Sequence, residues 1–121
     1  MSVAQGSLNP SDNRTIGLIS LAHGTSHFYH LVLPPLFPWL KIEFALSYAE
    51  LGLLMTIFFV VSCVVQASSG FLVDHKGARP VLFAGVGLLA MSALTYAVSS
   101  SYVGLVIGAV LMGCGNGVFH P

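Results

Sequence analysis

Four long apolar runs, separated by three short polar interruptions, organise the chain. Residues 1–14, Met-Ser-Val-Ala-Gln-Gly-Ser-Leu-Asn-Pro-Ser-Asp-Asn-Arg, have no apolar period and read as a mobile polar tail. Apolar runs follow at about 15–39, 47–73, 80–98 and 102–121. A hydrocarbon core of about 30 Å takes about 20 helical residues at 1.5 Å rise, and each run is near or above that length. The pattern predicts an all-α integral membrane protein with four transmembrane helices. Connections this short make neighbouring spans antiparallel. Arg14, Lys76 and Arg79 then share one side and Lys41 lies on the other, so the positive-inside rule puts the N-terminus in the cytoplasm. Trp39 and Tyr102 fall where outer interfacial aromatics belong, and Pro34, Pro35 and Pro38 predict a kinked or broken outer end to the first helix.

Composition supports the bilayer reading. Of 121 residues, 55% are apolar and 7% charged, too few charges to clothe a soluble core. A formal net charge of zero leaves no basic stripe for nucleic acid. Cys63 and Cys114 sit apart in apolar runs and read as buried thiols packing as small apolar residues. The first run carries three histidines and three prolines, lacks a small-residue cleavage pattern and is followed by further spans, so it reads as a retained helix, not a signal peptide. Nothing in the spacing suggests a nucleophile elbow, a phosphate loop or a cofactor site, and no enzyme activity is expected.

The turn between the second and third spans, Gly-Phe-Leu-Val-Asp-His-Lys-Gly-Ala-Arg-Pro-Val-Leu at 70–82, has two readings. It can simply set topology: Gly70 for close helix approach, Asp74, Lys76 and Arg79 as hydrophilic punctuation, Gly77 for a tight turn, Pro80 as a first helical residue. It also resembles the loop motif Gly-x-Leu-Ala-Asp-Arg-x-Gly-Arg-Arg of the major facilitator superfamily. Gly70, Leu72, Asp74, Gly77 and Arg79 occupy matching places, while Val73, His75 and Ala78 depart from it. The resemblance implies a conformational gating loop in which Asp74 meets a helix N-terminus of the transporter's other half.

His23, His27 and His30 recur at four and three residues, within about 60° of one helix face, flanked by Ser20 and Ser26. Ionisable groups within a span face a cavity or a partner. Either they hydrogen-bond neighbouring helices as neutral imidazoles, or they line an aqueous path and contact substrate or carry protons. A metal site is disfavoured, because the helix has no carboxylate or cysteine. Counting rise from Thr15 puts His23 roughly 12 Å and His30 roughly 22 Å along the span, with His120 near the inner surface, so one site shared by all is not expected.

On the fourth run, Gly113, Asn116, Gly117 and His120 fall on one arc and Gly104, Gly108 and Gly115 opposite, which predicts close packing on two faces. The superfamily's fourth-helix arginine position holds Ala109. Instead, Gly-Asn-Gly-Val-Phe-His-Pro at 115–121 and the histidine-bearing 22–41 resemble the fosmidomycin resistance branch. On the second run, Gly52, Thr56, Cys63, Gln66 and Gly70 form a stripe read as packing, and Glu50 is expected to be solvated at the outer end.

These resemblances imply the first four helices of a twelve-helix secondary transporter in the inner (plasma) membrane, with the chain's abrupt end expected to be a truncation of the six-helix N-terminal half. Its function would be proton-coupled efflux of small drugs or polar compounds by alternating access, its partners a small-molecule substrate, H+, the lipid bilayer and the missing C-terminal helices. His23, His27, His30, Asn116 and His120 are the expected substrate or proton path; Gly70, Asp74, Gly77 and Arg79 the gating loop. The alternative is a complete four-helix oligomeric membrane protein, either a small multidrug exporter or a non-transporting scaffold.

Overall fold

The computed structural model describes residues 10–119, which form four α-helices: α1 (Pro10–Glu43), α2 (Tyr48–Lys76), α3 (Ala78–Val98) and α4 (Tyr102–Gly117). His120 lies outside the described residues. Among those described, no strand occurs, as the absence of any period-two run anticipates. Helices α2 and α3 are long and apolar enough to cross a membrane. The 16 helical residues of α4 are a shorter apolar helix, and α1, although 34 residues long, is made less apolar by His23, His27 and His30. Large apolar side chains such as Phe71, Phe83 and Val98 point outward, as they do where lipid is the solvent.

Helix boundaries differ from the sequence expectations in three places. Residues 10–14, assigned to a mobile tail, form the first turns of α1, where Asp12 sits favourably at the N-terminal end. The prolines do not break the outer end: α1 stays helical through Pro34, Pro35 and Pro38 to Glu43. Each proline withholds one N–H from the carbonyl four residues earlier, a loss tolerated in membrane helices where neighbours re-satisfy the backbone. Finally, the turn at 73–79 contracts to Gly77. Helix α2 continues to Lys76 and α3 starts at Ala78, so Pro80 occupies the third helical position rather than the first. Gly77 has φ 84° and ψ 153°, a conformation open to glycine, and its N–H bonds to the Val73 carbonyl at 2.8 Å.

Helix α4 is the spine of the bundle. Its two small-residue faces do what the sequence predicts, each admitting a different neighbour. A Cβ on Gly113 or Gly117 would meet the Phe58 or Ser62 carbonyl of α2 at 2.8 and 2.7 Å. On the opposite face, a Cβ on Gly115 would meet the Gly85 carbonyl of α3 at 2.9 Å, and one on Gly108 would meet the Tyr96 ring. Buried Ser92 adds a hydrogen bond from Oγ to the Gly108 carbonyl at 2.8 Å. Helix α1 packs more sparsely, chiefly through buried Ser26, Leu33 and Leu40.

Caps fix the helix ends at the α1–α2 and α3–α4 connections. Ser47 and Glu50 form a reciprocal capping box on α2: the Ser47 N–H donates to Glu50 Oε2 at 2.7 Å and the Glu50 N–H to Ser47 Oγ at 3.3 Å. Glu50, expected to be merely solvated, is thus engaged in helix initiation. Ser101 caps α4, and the Tyr102 hydroxyl donates to the Glu50 carbonyl at 3.1 Å, joining the N-terminal ends of α2 and α4. Lys41 stands 3.7 Å over the Tyr48 ring.

Two packing expectations on α2 are corrected. Gly52, Thr56, Cys63 and Gln66 are exposed, and nothing lies within 4 Å of a Cβ on Gly52 or Gly70. The buried face is instead Leu51, Leu54, Phe58, Ser62 and Ser69. Cys63 accordingly faces outward; Cys114 is half-buried. In a bilayer both helix faces are apolar, so a stripe of small residues does not say which face meets its neighbours.

Candidate functional site

Midway through the bundle, three helices bring polar groups to one point. Asn116 of α4 accepts from Ser26 Oγ of α1 at 2.8 Å through Oδ1. Its Nδ2 donates to Ser62 Oγ of α2 at 2.7 Å and lies 3.0 Å from His30 Nε2 of α1. Ser26, Ser62 and Asn116 are each at most 5% exposed, and His30 is half-buried. Burial of an amide in an apolar setting is costly without partners, and here both ends of the Asn116 side chain have them.

Why these residues meet follows from counting along each helix from the end of the bundle that carries Glu43, Tyr48 and Tyr102. His30 lies thirteen residues in from Glu43, Ser62 fourteen from Tyr48 and Asn116 fourteen from Tyr102, so all three are about 20 Å down their helices. The expected separation of His30 from His120 falls outside the described residues, whereas Asn116, one turn earlier on α4, meets His30 directly. Ser62 was missed altogether: within Val-Ser-Cys-Val it reads as one small residue among many, and only the shared depth singles it out.

The His30 ring is held edge-on to Phe58, with centroids 5.0 Å apart, and stacks on Phe59 at 6.2 Å. Toward the N-terminus of α1, the His27 ring is 5.6 Å from His30 and 4.6 Å from His23, and the His23 and His27 Nε2 atoms are 3.0 Å apart, within hydrogen-bond distance. His23 in turn lines a cavity of about 640 Å³ between α1, the N-terminal end of α3 and the end of α4, together with Thr15 and Arg79. The three histidines therefore form a continuous line from this cavity to the buried cluster.

The loop residues lie apart from this cluster. Asp74, Gly77 and Arg79 are exposed at the α2–α3 junction, and Gly70 is half-buried with open space beside it. Nothing groups three or more metal-binding side chains among the described residues.

A family model described as Major Facilitator Superfamily matches residues 19–121. The chain belongs to the major facilitator superfamily. Superfamily members are transporters rather than enzymes, and membership places the protein in a membrane. Among curated relatives, the fosmidomycin resistance protein of Escherichia coli (strain K12) is 26% identical over 106 residues, covering 88% of this chain and 26% of that protein. The uncharacterized MFS-type transporter YfnC of Bacillus subtilis (strain 168) is 25% identical over 104 residues, covering 86% of this chain and 25% of its own length. The chain thus spans about a quarter of the length of these superfamily relatives. No solved structure matches it significantly.

Proposed function

We propose that this superfamily member is a proton-coupled exporter of small drugs or polar compounds, working by alternating access in the inner membrane with its N-terminus in the cytoplasm. The observation that carries the reading is the buried cluster of Ser26, His30, Ser62 and Asn116, reached by the histidine line of α1. A membrane helix that retains three titratable imidazoles, one of them in a satisfied polar cluster, is built to handle protons or polar solutes. His23, His27, His30, Asn116 and His120 are assigned to the substrate or proton path. Gly70, Asp74, Gly77 and Arg79 are assigned to gating, with Asp74 engaging a helix N-terminus elsewhere in a twelve-helix assembly in which α1–α4 all span the bilayer. The family match disfavours the alternative of a complete four-helix oligomer.

The name of the Escherichia coli relative supplies the first compound to try. In cells expressing the intact protein, fosmidomycin tolerance should rise, and proteoliposomes should release protons from the lumen as the drug enters against an imposed gradient. Unchanged tolerance across fosmidomycin and a panel of polar drugs, with no drug-dependent proton flux, would defeat the proposal.

A further inference from the structure

We propose that His30 Nε2 is the binding site of the driving proton within the span, and that reversal of the Asn116 side-chain amide is what allows the site to be either empty or filled. This deepens the proton-coupled reading above and rests on it for its role in transport.

The argument is one of hydrogen-bond accounting. As the cluster stands, Asn116 Nδ2 donates to both His30 Nε2 and Ser62 Oγ, and Oδ1 accepts from Ser26 Oγ. Donation from Nδ2 requires a lone pair on Nε2, so the imidazole is neutral with its proton on Nδ1. A proton added to Nε2 occupies that lone pair, gives an imidazolium and breaks no covalent bond. With the amide fixed, it would set N–H against N–H. Turning the amide by 180° removes the conflict: Oδ1 then accepts from His30 Nε2–H and from Ser62 Oγ–H, while Nδ2 donates to Ser26 Oγ.

Serine hydroxyls can donate or accept, which is why the reversal leaves the named bonds of the cluster intact in both states. Two hydroxyls flanking one amide are the requirement, and the three helices supply one hydroxyl from α1 and one from α2. The filled state gains a hydrogen bond to a charged group, stronger than its neutral counterpart, in surroundings where an unpartnered imidazolium would be costly.

The surroundings fit a site that fills from the inner side. Among the described residues, the titratable neighbours on α1 are His27 and, beyond it, His23; α2 presents the uncharged Phe58, Phe59 and Ser62, and α4 presents Asn116. Arg79 of α3 shares the cavity lining with His23 and opposes charge at that end, favouring the proton's residence deeper, at His30.

The test is a titration of ¹⁵N-histidine resonances in the intact protein in lipid nanodiscs without substrate, with the His30 signal assigned by its loss in His30→Asn. Wild-type His30 should titrate reversibly. Asn116→Leu removes the acceptor and should weaken proton binding at His30 roughly tenfold or more, whereas Asn116→Asp should strengthen it by a similar factor. The signature is the tautomer together with the Asn116→Leu shift: neutral His30 should show its proton on Nδ1 with a bare Nε2, and the loss of the amide should weaken proton binding, whereas the Asn116→Asp gain follows from charge alone and shows only that position 116 contacts the ring. Should Asn116→Leu fail to fold, the Nδ1–H tautomer of neutral wild-type His30 and its reversible titration carry the test. A His30 that stays neutral throughout, or whose midpoint ignores Asn116, overturns the inference even if proton-driven transport is found. A reversibly titrating His30 with the Nδ1–H tautomer and a midpoint lowered in Asn116→Leu, in a protein that moves no substrate, upholds the proton site and defeats the transport reading alone.

Discussion

The Ser26 hydroxyl and the Asn116 amide oxygen lie 2.8 Å apart although ninety residues separate them in the chain. Because α1 packs sparsely, this bond and its His30 neighbour contribute much of what ties α1 to α4. Ser26→Ala should therefore cost about 1 kcal/mol, in the range of interhelical hydrogen bonds in membranes. Thermal unfolding in detergent, followed by fluorescence-detected size exclusion, will show a fall of a few degrees; no change would mean that α1 is held by other contacts.

Gly113 offers a sharper contrast. A methyl group there would stand 2.8 Å from the Phe58 carbonyl and 2.9 Å from Val61 Cβ, neither of which can swing away as a flexible side-chain end could. Gly113→Ala should destabilise by about 1–3 kcal/mol. Gly87→Ala, on a face where nothing lies within 4 Å, should be neutral or slightly stabilising because alanine favours helix. The same unfolding measurement on both variants checks the pair.

At the α2–α3 junction, Gly77 combines φ 84° with ψ 153°, a region nearly closed to residues bearing a Cβ. Gly77→Ala should cost about 1–3 kcal/mol, and Gly77→Asn should not rescue it, since asparagine tolerates the left-handed helical region but not this ψ. Matching midpoints for wild type and Gly77→Ala would contradict the assignment.

Asp74 is exposed two residues before the end of α2 and makes no demand on the packing of the bundle. Asp74→Asn should reach the membrane in normal amounts yet transport several-fold more slowly. Equal initial rates in proteoliposomes would remove Asp74 from the gating role.

For Glu50 the capping box separates two roles. Glutamine serves at the third helical position about as well as glutamate, so Glu50→Gln should preserve stability and transport. Ser47→Ala should lose about 1 kcal/mol. A transport defect in Glu50→Gln with normal stability would show that its charge does more than start a helix.

Much of the architecture was legible from sequence. Apolar run lengths located α2, α3 and the start of α4, and glycine spacing on α4 foretold two close-packed faces, because both signals depend on local chemistry. The ends of α1 were not: membrane-span arithmetic stops at the bilayer edge, whereas the helix continues through prolines and into a polar segment. The buried face of α2 was also hidden, since Gly52 and Ser62 look equally suited to packing and only the position of α4 chooses between them. Of the polar cluster, His30 and Asn116 stood out as costly residues in apolar runs. Ser62 is singled out only when the capping residues set a common origin for depth. The Ser47–Glu50 pair, by contrast, is a capping signature that the sequence alone displays.

Helix α4 has no side-chain volume left to give where it meets α2 and α3. Added bulk on it has to be matched by trimming on the neighbour it touches, so substitution histories of the three helices are bound together pairwise. A larger residue at Gly113 should find its compensating partner at Val61, and one at Gly115 at Leu89.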